Sequence, residues 1–144
     1  IGLPKTFGNL KNLKKLELRR NELFELPESI TNLKNLEELN LMENLLGELP
    51  ESFGKLNSLK SLILQENYFL TLPESIKKLP SLQAIYLGGN PDLIVLNWMR
   101  DLTRNGVRFI TYLITFYLKN ESPLKSILEF SNLGQTSITD FIFK

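Results

Sequence analysis

Apolar and polar residues alternate along this chain in a pattern that recurs. Leu16 and Leu18 alternate with Lys15, Glu17 and Arg19, and Leu39 and Leu41 with Glu38, Asn40 and Met42. Leu62 and Leu64 alternate with Ser61, Ile63 and Gln65, and Ile85 and Leu87 with Ala84, Tyr86 and Gly88. Apolar residues at every second position predict short strands with one face turned into a core. An Asn follows each strand, at Asn21, Asn44, Asn67 and Asn90, and the spacing is 23 residues each time. The shared skeleton is L-x-x-L-x-L-x-x-N, with Ile85 replacing one Leu.

The rest of each unit repeats as well. Leu26-Pro27-Glu28-Ser29-Ile30 matches Leu49-Pro50-Glu51-Ser52-Phe53 and Leu72-Pro73-Glu74-Ser75-Ile76, with Leu33, Leu56 and Leu79 following at one offset. Leu3-Pro4-Lys5-Thr6-Phe7 and Leu10 form the back half of a unit whose front half is missing. Pro fixes φ and cannot donate, which suits the start of a short helical turn, and Glu after it favours a helix N-terminus. The spacing of three in Ile30, Leu33 and Leu36 predicts a tight turn or short helix with its inner edge on the core. An Asn side chain both donates and accepts, so it can satisfy backbone groups where the chain leaves the sheet.

This pattern resembles the leucine-rich repeat family, in its 23-residue L-P-x-x-I/F variety, over residues 1 to about 93. The resemblance implies an α/β solenoid, with a curved parallel β-sheet on the concave side and short helical or 3-10 turns on the convex side. It also implies that Asn21, Asn44, Asn67 and Asn90 stack into a structural ladder. Repeats of this type are similar to those of intracellular Ras-group scaffold proteins, so the resemblance implies a small GTPase as one partner class. Related arrays also serve as the sensor or substrate-recruiting part of a larger signalling enzyme or receptor. The start in mid-unit and Ile rather than Met at residue 1 are what a piece of such a chain would show.

The pattern changes after Asn90. Residues 93–105 read as an amphipathic helix, with Leu93, Leu96, Trp98, Met99 and Leu102 apolar, ended by Asn105-Gly106. Residues 107–110 read as a strand. The expected organisation is repeats over 1–93, a helix–strand cap over 94–110 that shields the last core face, and a non-repeat tail over 111–144. The tail predicts a strand over 110–118, a helix over 124–133 after Ser122-Pro123, and a strand over 138–143. So apolar a segment is expected to pack on the solenoid, on its own elements or on a second copy. Asn120-Glu121-Ser122 matches the N-glycosylation pattern, which also arises commonly by chance.

Composition narrows the function. The chain has 17 basic and 16 acidic residues and a net charge of +1, which offers no field for nucleic acid and no strong attraction to a membrane. The longest apolar run, 107–118, is interrupted by Arg108 and too short to span a bilayer. There is no Cys and no His. That removes thiolate and imidazole metal ligands, the Cys nucleophile and the usual general base. No catalytic residues, metal or cofactor are therefore expected, and the chain is read as a binding module rather than an enzyme. Absence of Cys points to a reducing compartment and so to the cytoplasm, although secreted solenoids can also lack Cys.

Candidate contact residues are the variable positions of x-L-x-L-x-x-N. They are Lys15, Glu17, Arg19 and Arg20, then Glu38, Asn40, Met42 and Glu43, then Ile63, Gln65 and Glu66, then Tyr86. Charge runs from basic in the first unit to acidic in the second. Met42, Ile63 and Tyr86 are expected as exposed apolar groups, which mark protein interfaces. Gly88 and Gly89 leave the surface low, either to admit a partner's bulky group or to accommodate the cap. Another protein is the expected partner, and self-association through the solenoid end or the apolar tail is a second arrangement.

Overall fold

The computed structural model describes residues 2–94, 96, 98, 99, 102 and 106–110, the last three by their backbone alone. The elements expected within 111–144 and the Asn120 tripeptide lie outside the described residues. Five three-residue strands form one parallel sheet in chain order: β1 (Lys15–Glu17), β2 (Glu38–Asn40), β3 (Ser61–Ile63), β4 (Ala84–Tyr86) and β5 (Arg108–Ile110). Four 3-10 turns accompany them: η1 (Lys5–Asn9), η2 (Glu28–Asn32), η3 (Phe53–Lys55) and η4 (Glu74–Lys78). Leu16 stands beside Leu39, Leu39 beside Leu62, and Leu62 beside Ile85. The period of the sequence thus becomes one step sideways across a sheet, at about 4.8 Å per strand.

A three-residue strand has too few hydrogen bonds to persist alone, so its partners must come from the adjacent units. The pairing continues past each strand. Leu18 N–H donates to the Asn40 carbonyl at 2.8 Å, Leu41 to Ile63 at 2.8 Å and Leu64 to Tyr86 at 2.9 Å. Leu33, Leu36, Leu39, Leu41, Leu56, Leu59, Leu62 and Leu64 are fully buried between sheet and turns, together with Phe53 and Phe69. Each such side chain contributes about 1.5–3 kcal/mol relative to exposure. Leu18 is only partly buried, because β1 is the edge of the described sheet.

The 3-10 turns follow from Pro and from the spacing of three. Pro4, Pro27 and Pro73 hold extended backbone immediately before η1, η2 and η4. Their carbonyls accept from Phe7, Ile30 and Ile76 at 2.9–3.1 Å, and Pro50 accepts from Phe53 at 3.0 Å. Pro lacks only an N–H that this position never uses. Leu33 then donates to Ile30, and Leu36 to Leu33, so the spaced apolar residues mark successive turns of one thread. The Lys34 ammonium closes the polar ends, donating to the Thr31 carbonyl at 2.7 Å and the Lys55 carbonyl at 2.8 Å.

Two of the L-P-E-S serines, Ser52 and Ser75, stitch neighbouring turns together, while Ser29 Oγ is buried with no hydrogen-bond partner among the described residues. Ser75 Oγ accepts from the Gly54 N–H at 3.2 Å, while the Ser52 hydroxyl meets the Glu28 carboxylate and the Thr31 hydroxyl. The approach at Gly54 is close. A Cβ there would collide with the Ser75 backbone carbonyl, and Gly8 stands in the same way against Ser29.

Beyond Asn90 the outcome differs in part from expectation. Leu93 and Ile94 are not helical. Ile94 N–H donates to the Leu70 carbonyl at 2.7 Å, which keeps this segment beside the previous unit. Trp98, Met99 and Leu102 are helical, and with Val107 they are buried in the common core. β5 runs parallel to β4, with Phe109 beside Ile85. No helix among the described residues is long and apolar enough to cross a membrane.

Candidate functional site

The exposed side of the sheet is a grid whose rows are units and whose columns are register positions. The first column holds Lys15, Glu38, Ser61 and Ala84, and the second Glu17, Asn40, Ile63 and Tyr86. Two further columns follow each strand: Arg19, Met42, Gln65 and Gly88, then Arg20, Glu43, Glu66 and Gly89. Arg20 N–H donates to the Met42 carbonyl, Glu43 to Gln65 and Glu66 to Gly88, at 2.8–3.0 Å, which ties these columns together.

The basic first unit and the acidic second one are not separate patches. Lys15 Nζ lies 2.8 Å from the Glu38 carboxylate. The hydrogen bond to Glu38 and its charge raise the Lys15 pKa above its ordinary value. The Glu43 carboxylate is gripped by Arg20 Nε at 2.7 Å and by Arg19 Nη2 at 2.6 Å and Nε at 3.0 Å. Hydrogen bonds from Arg20 and then Arg19 hold its pKa below the usual carboxylate range. Behind this face, Glu37 bridges Lys60 at 2.5 Å and Lys14 at 3.8 Å. Asn40 Oδ1 accepts from Met42 N–H at 3.0 Å, and a Glu17 carboxylate oxygen lies 3.4 Å from Arg19 N. The charge gradient expected from the sequence is therefore largely neutralised within the molecule, because register sets opposite charges side by side.

The apolar positions are also placed differently from expectation. Met42, Ile63 and Tyr86 are half-buried rather than exposed. Gln65, Ala84 and Gly88 are buried. Gly89 has a different reason to be Gly. Its φ is +74°, and a Cβ there would collide with the Glu66 carboxylate. Arg20, Glu43 and Glu66 occupy the same offset at φ of 57°, 57° and 52°. The chain leaves the sheet through a left-handed residue in every unit, which only Gly adopts without strain.

The four Asn residues sit one position on. Asn67 Nδ2 donates to the carbonyls of Leu64, Gln65 and, one unit back, Leu41, while its Oδ1 accepts from Leu46 N–H at 3.0 Å. Asn44 and Asn90 make the corresponding bonds to Leu18 and Leu23 and to Leu64 and Phe69. Asn21 is exposed and, among the described residues, bonds only to carbonyls of its own turn, Leu18 and Arg19.

Sequence reasoning missed a second surface. Phe24, Leu45, Tyr68, Leu70 and Ile94 are 49–60% exposed, more than any apolar residue on the strand face. They follow the Asn positions at offsets of one, three or four. Leu23, Leu46 and Phe69, at an offset of two, are buried. That alternation was present in N-x-L-x and would have placed Phe24, Leu45, Tyr68 and Leu70 outward, though not Ile94 at an offset of four.

A family model described as a leucine-rich repeat region matches residues 4–104, most of the chain. The chain belongs to the leucine-rich repeat family. Among solved structures, a leucine-rich repeat protein of Leptospira interrogans is similar over 66% of this chain, with 37% identity and a TM-score of 0.57. A plant peptide hormone receptor, RGFR1, in complex with RGF2, is similar over 64%, with 29% identity and a TM-score of 0.55. This chain spans 27% of the first protein and 18% of the second. No curated protein matches it. Its parallel sheet and 3-10 turns are the solenoid architecture of this family, and that family supports a protein-interaction module.

Proposed function

We propose that this leucine-rich repeat array binds a protein partner across its strand face, taken as the concave side. The observation that carries this reading is the apolar column Ile63–Tyr86 with Met42 beside it, next to the Lys15–Glu38 pair and the Arg19–Glu43–Arg20 cluster. A surface whose polar groups are bound before the partner arrives loses little side-chain entropy on binding. Half-buried aromatic and apolar residues are the kind that anchor interfaces. Glu17, Asn40, Gln65 and Glu66 frame the anchors.

Affinity capture from native lysate with the full chain tests this reading. An Ile63→Asp/Tyr86→Ala variant should lose the captured partner at least tenfold relative to the parent. Equal recovery by every strand-face variant would overturn it. A small GTPase added in its two nucleotide states is a direct arm of that experiment, and light scattering over a concentration series detects self-association.

A second reading makes the array the recognition part of a larger signalling enzyme or receptor. It is supported by the similarity to a plant peptide hormone receptor in complex with RGF2, and by the short share of both similar proteins that this chain spans. Reading the full frame around this segment decides it.

A further inference from the structure

The edge of the solenoid just after the Asn ladder differs from the strand face in both charge and exposure. Its segments read NELFELP from Asn21, NLLGELP from Asn44, NYFLTLP from Asn67 and NPDLI from Asn90. Every charge in them is negative: Glu22, Glu25, Glu48 and Asp92. Among the described residues Glu25, Glu48 and Asp92 have no ion pair and no basic residue lies in their segments, whereas on or behind the strand face Glu37, Glu38 and Glu43 are paired with Lys or Arg, and Glu17 and Glu66 are not. Between those carboxylates project Phe24, Leu45, Tyr68, Leu70 and Ile94.

These units are held side by side. Leu45 N–H donates to Leu23, Tyr68 to Leu46 and Ile94 to Leu70, at 2.7–2.9 Å. The stripe therefore crosses four units, or three strand steps, about 14 Å. That equals about ten residues of α-helix. Large apolar groups clustered at such a spacing on a rigid edge mark a binding surface, and the unpaired carboxylates set the sign of what it accepts.

We infer that this edge is a docking site for a short basic amphipathic segment of another polypeptide. Its apolar face would lie on Phe24, Leu45, Tyr68 and Leu70, and its Lys or Arg residues would meet Glu25, Glu48 and Asp92. The site is separate from the strand face and does not depend on it.

The probe is a 14-residue peptide of Leu and Lys with Leu at helical three-and-four spacing, against the same peptide with Glu in place of Lys. It is titrated into the full chain by fluorescence anisotropy. The basic peptide should bind at least tenfold tighter than the acidic one, and its affinity should fall with salt. Glu25→Lys/Glu48→Lys and Phe24→Ser/Tyr68→Ser should each weaken it at least tenfold, while Ile63→Asp/Tyr86→Ala leaves it unchanged. Hydroxyl-radical footprinting reads the same site without a variant: Phe24 and Tyr68 should react in the free chain and be protected by the basic peptide. Protection of both residues in the free chain at high dilution would mean that residues 111–144 cover the edge. Protection that grows with protein concentration would mean that a second copy does. Either result overturns the proposal, as does equal binding of the two peptides.

Discussion

At the scale of single residues, the Asn positions show how one residue type can be worth very different amounts. Asn67 is buried and satisfies carbonyls in two units and the amide of Leu46. Asn67→Ala leaves those groups without partners in a dry interior and should cost about 2–4 kcal/mol. Asn21→Ala removes exposed bonds within one turn and should cost less than about 1 kcal/mol. Urea midpoints at unchanged m-value measure both, and equal losses would refute the ladder's role. The turning function of these Asn residues was legible from their position after each strand. The left-handed residue before each was not. Gly89 hints at it, but Arg20, Glu43 and Glu66 carry no signature of positive φ, and the fold imposes it through bonds to the next unit.

At the scale of elements, strands and 3-10 turns were legible because each is set by local spacing: two for the strands, three for the turns. Side-chain partners were not, because they depend on which unit lies beside which. Register makes Arg19, Arg20 and Glu43 one cluster, and it turns Ser52 and Ser75 into links between turns. Two glycines test the packing of these elements. Gly54→Ala drives a methyl into the Ser75 carbonyl and should destabilise by about 1–3 kcal/mol through displacement of η3 from η4. At Gly47 a Cβ would meet only the Tyr68 carbonyl, at 3.8 Å. Gly47→Ala should be neutral or stabilise by up to about 1 kcal/mol, by restricting the unfolded chain. Melting curves should show a loss for Gly54→Ala and none for Gly47→Ala, and a similar loss from each would contradict the close approach at Gly54.

At the scale of the whole molecule, five of the six ion pairs among the described residues run between units, so acid should loosen the array. Hydrogen bonds from Lys60 lower the pKa of Glu37, and those from Arg20 and Arg19 lower that of Glu43. A carboxylate with a depressed folded pKa contributes stability that is complete above its ordinary value and is lost as pH falls through the folded one. Stability should therefore decline on acidification below the ordinary glutamate range. Glu43→Gln should be weaker at neutral pH, yet flatter in its acid dependence; urea midpoints across pH measure this, and parallel curves would deny Glu43 a part. The overall architecture was legible because stacking needs only a period, whereas the exposed edge at Phe24, Leu45, Tyr68 and Leu70 is camouflaged, because these apolar residues flank the buried Leu23, Leu46 and Phe69 and read as core with them. The sideways step of one unit has a genetic consequence. Deleting residues 44–66 joins Glu43 to Asn67 and restores every downstream register, whereas a deletion one residue longer or shorter throws Leu and Asn out of phase. The first chain should refold with one strand fewer, and the second should not. Neighbouring stretches that share a period also favour unequal crossing-over, so the gene can change length by whole units while the protein remains folded at every stage.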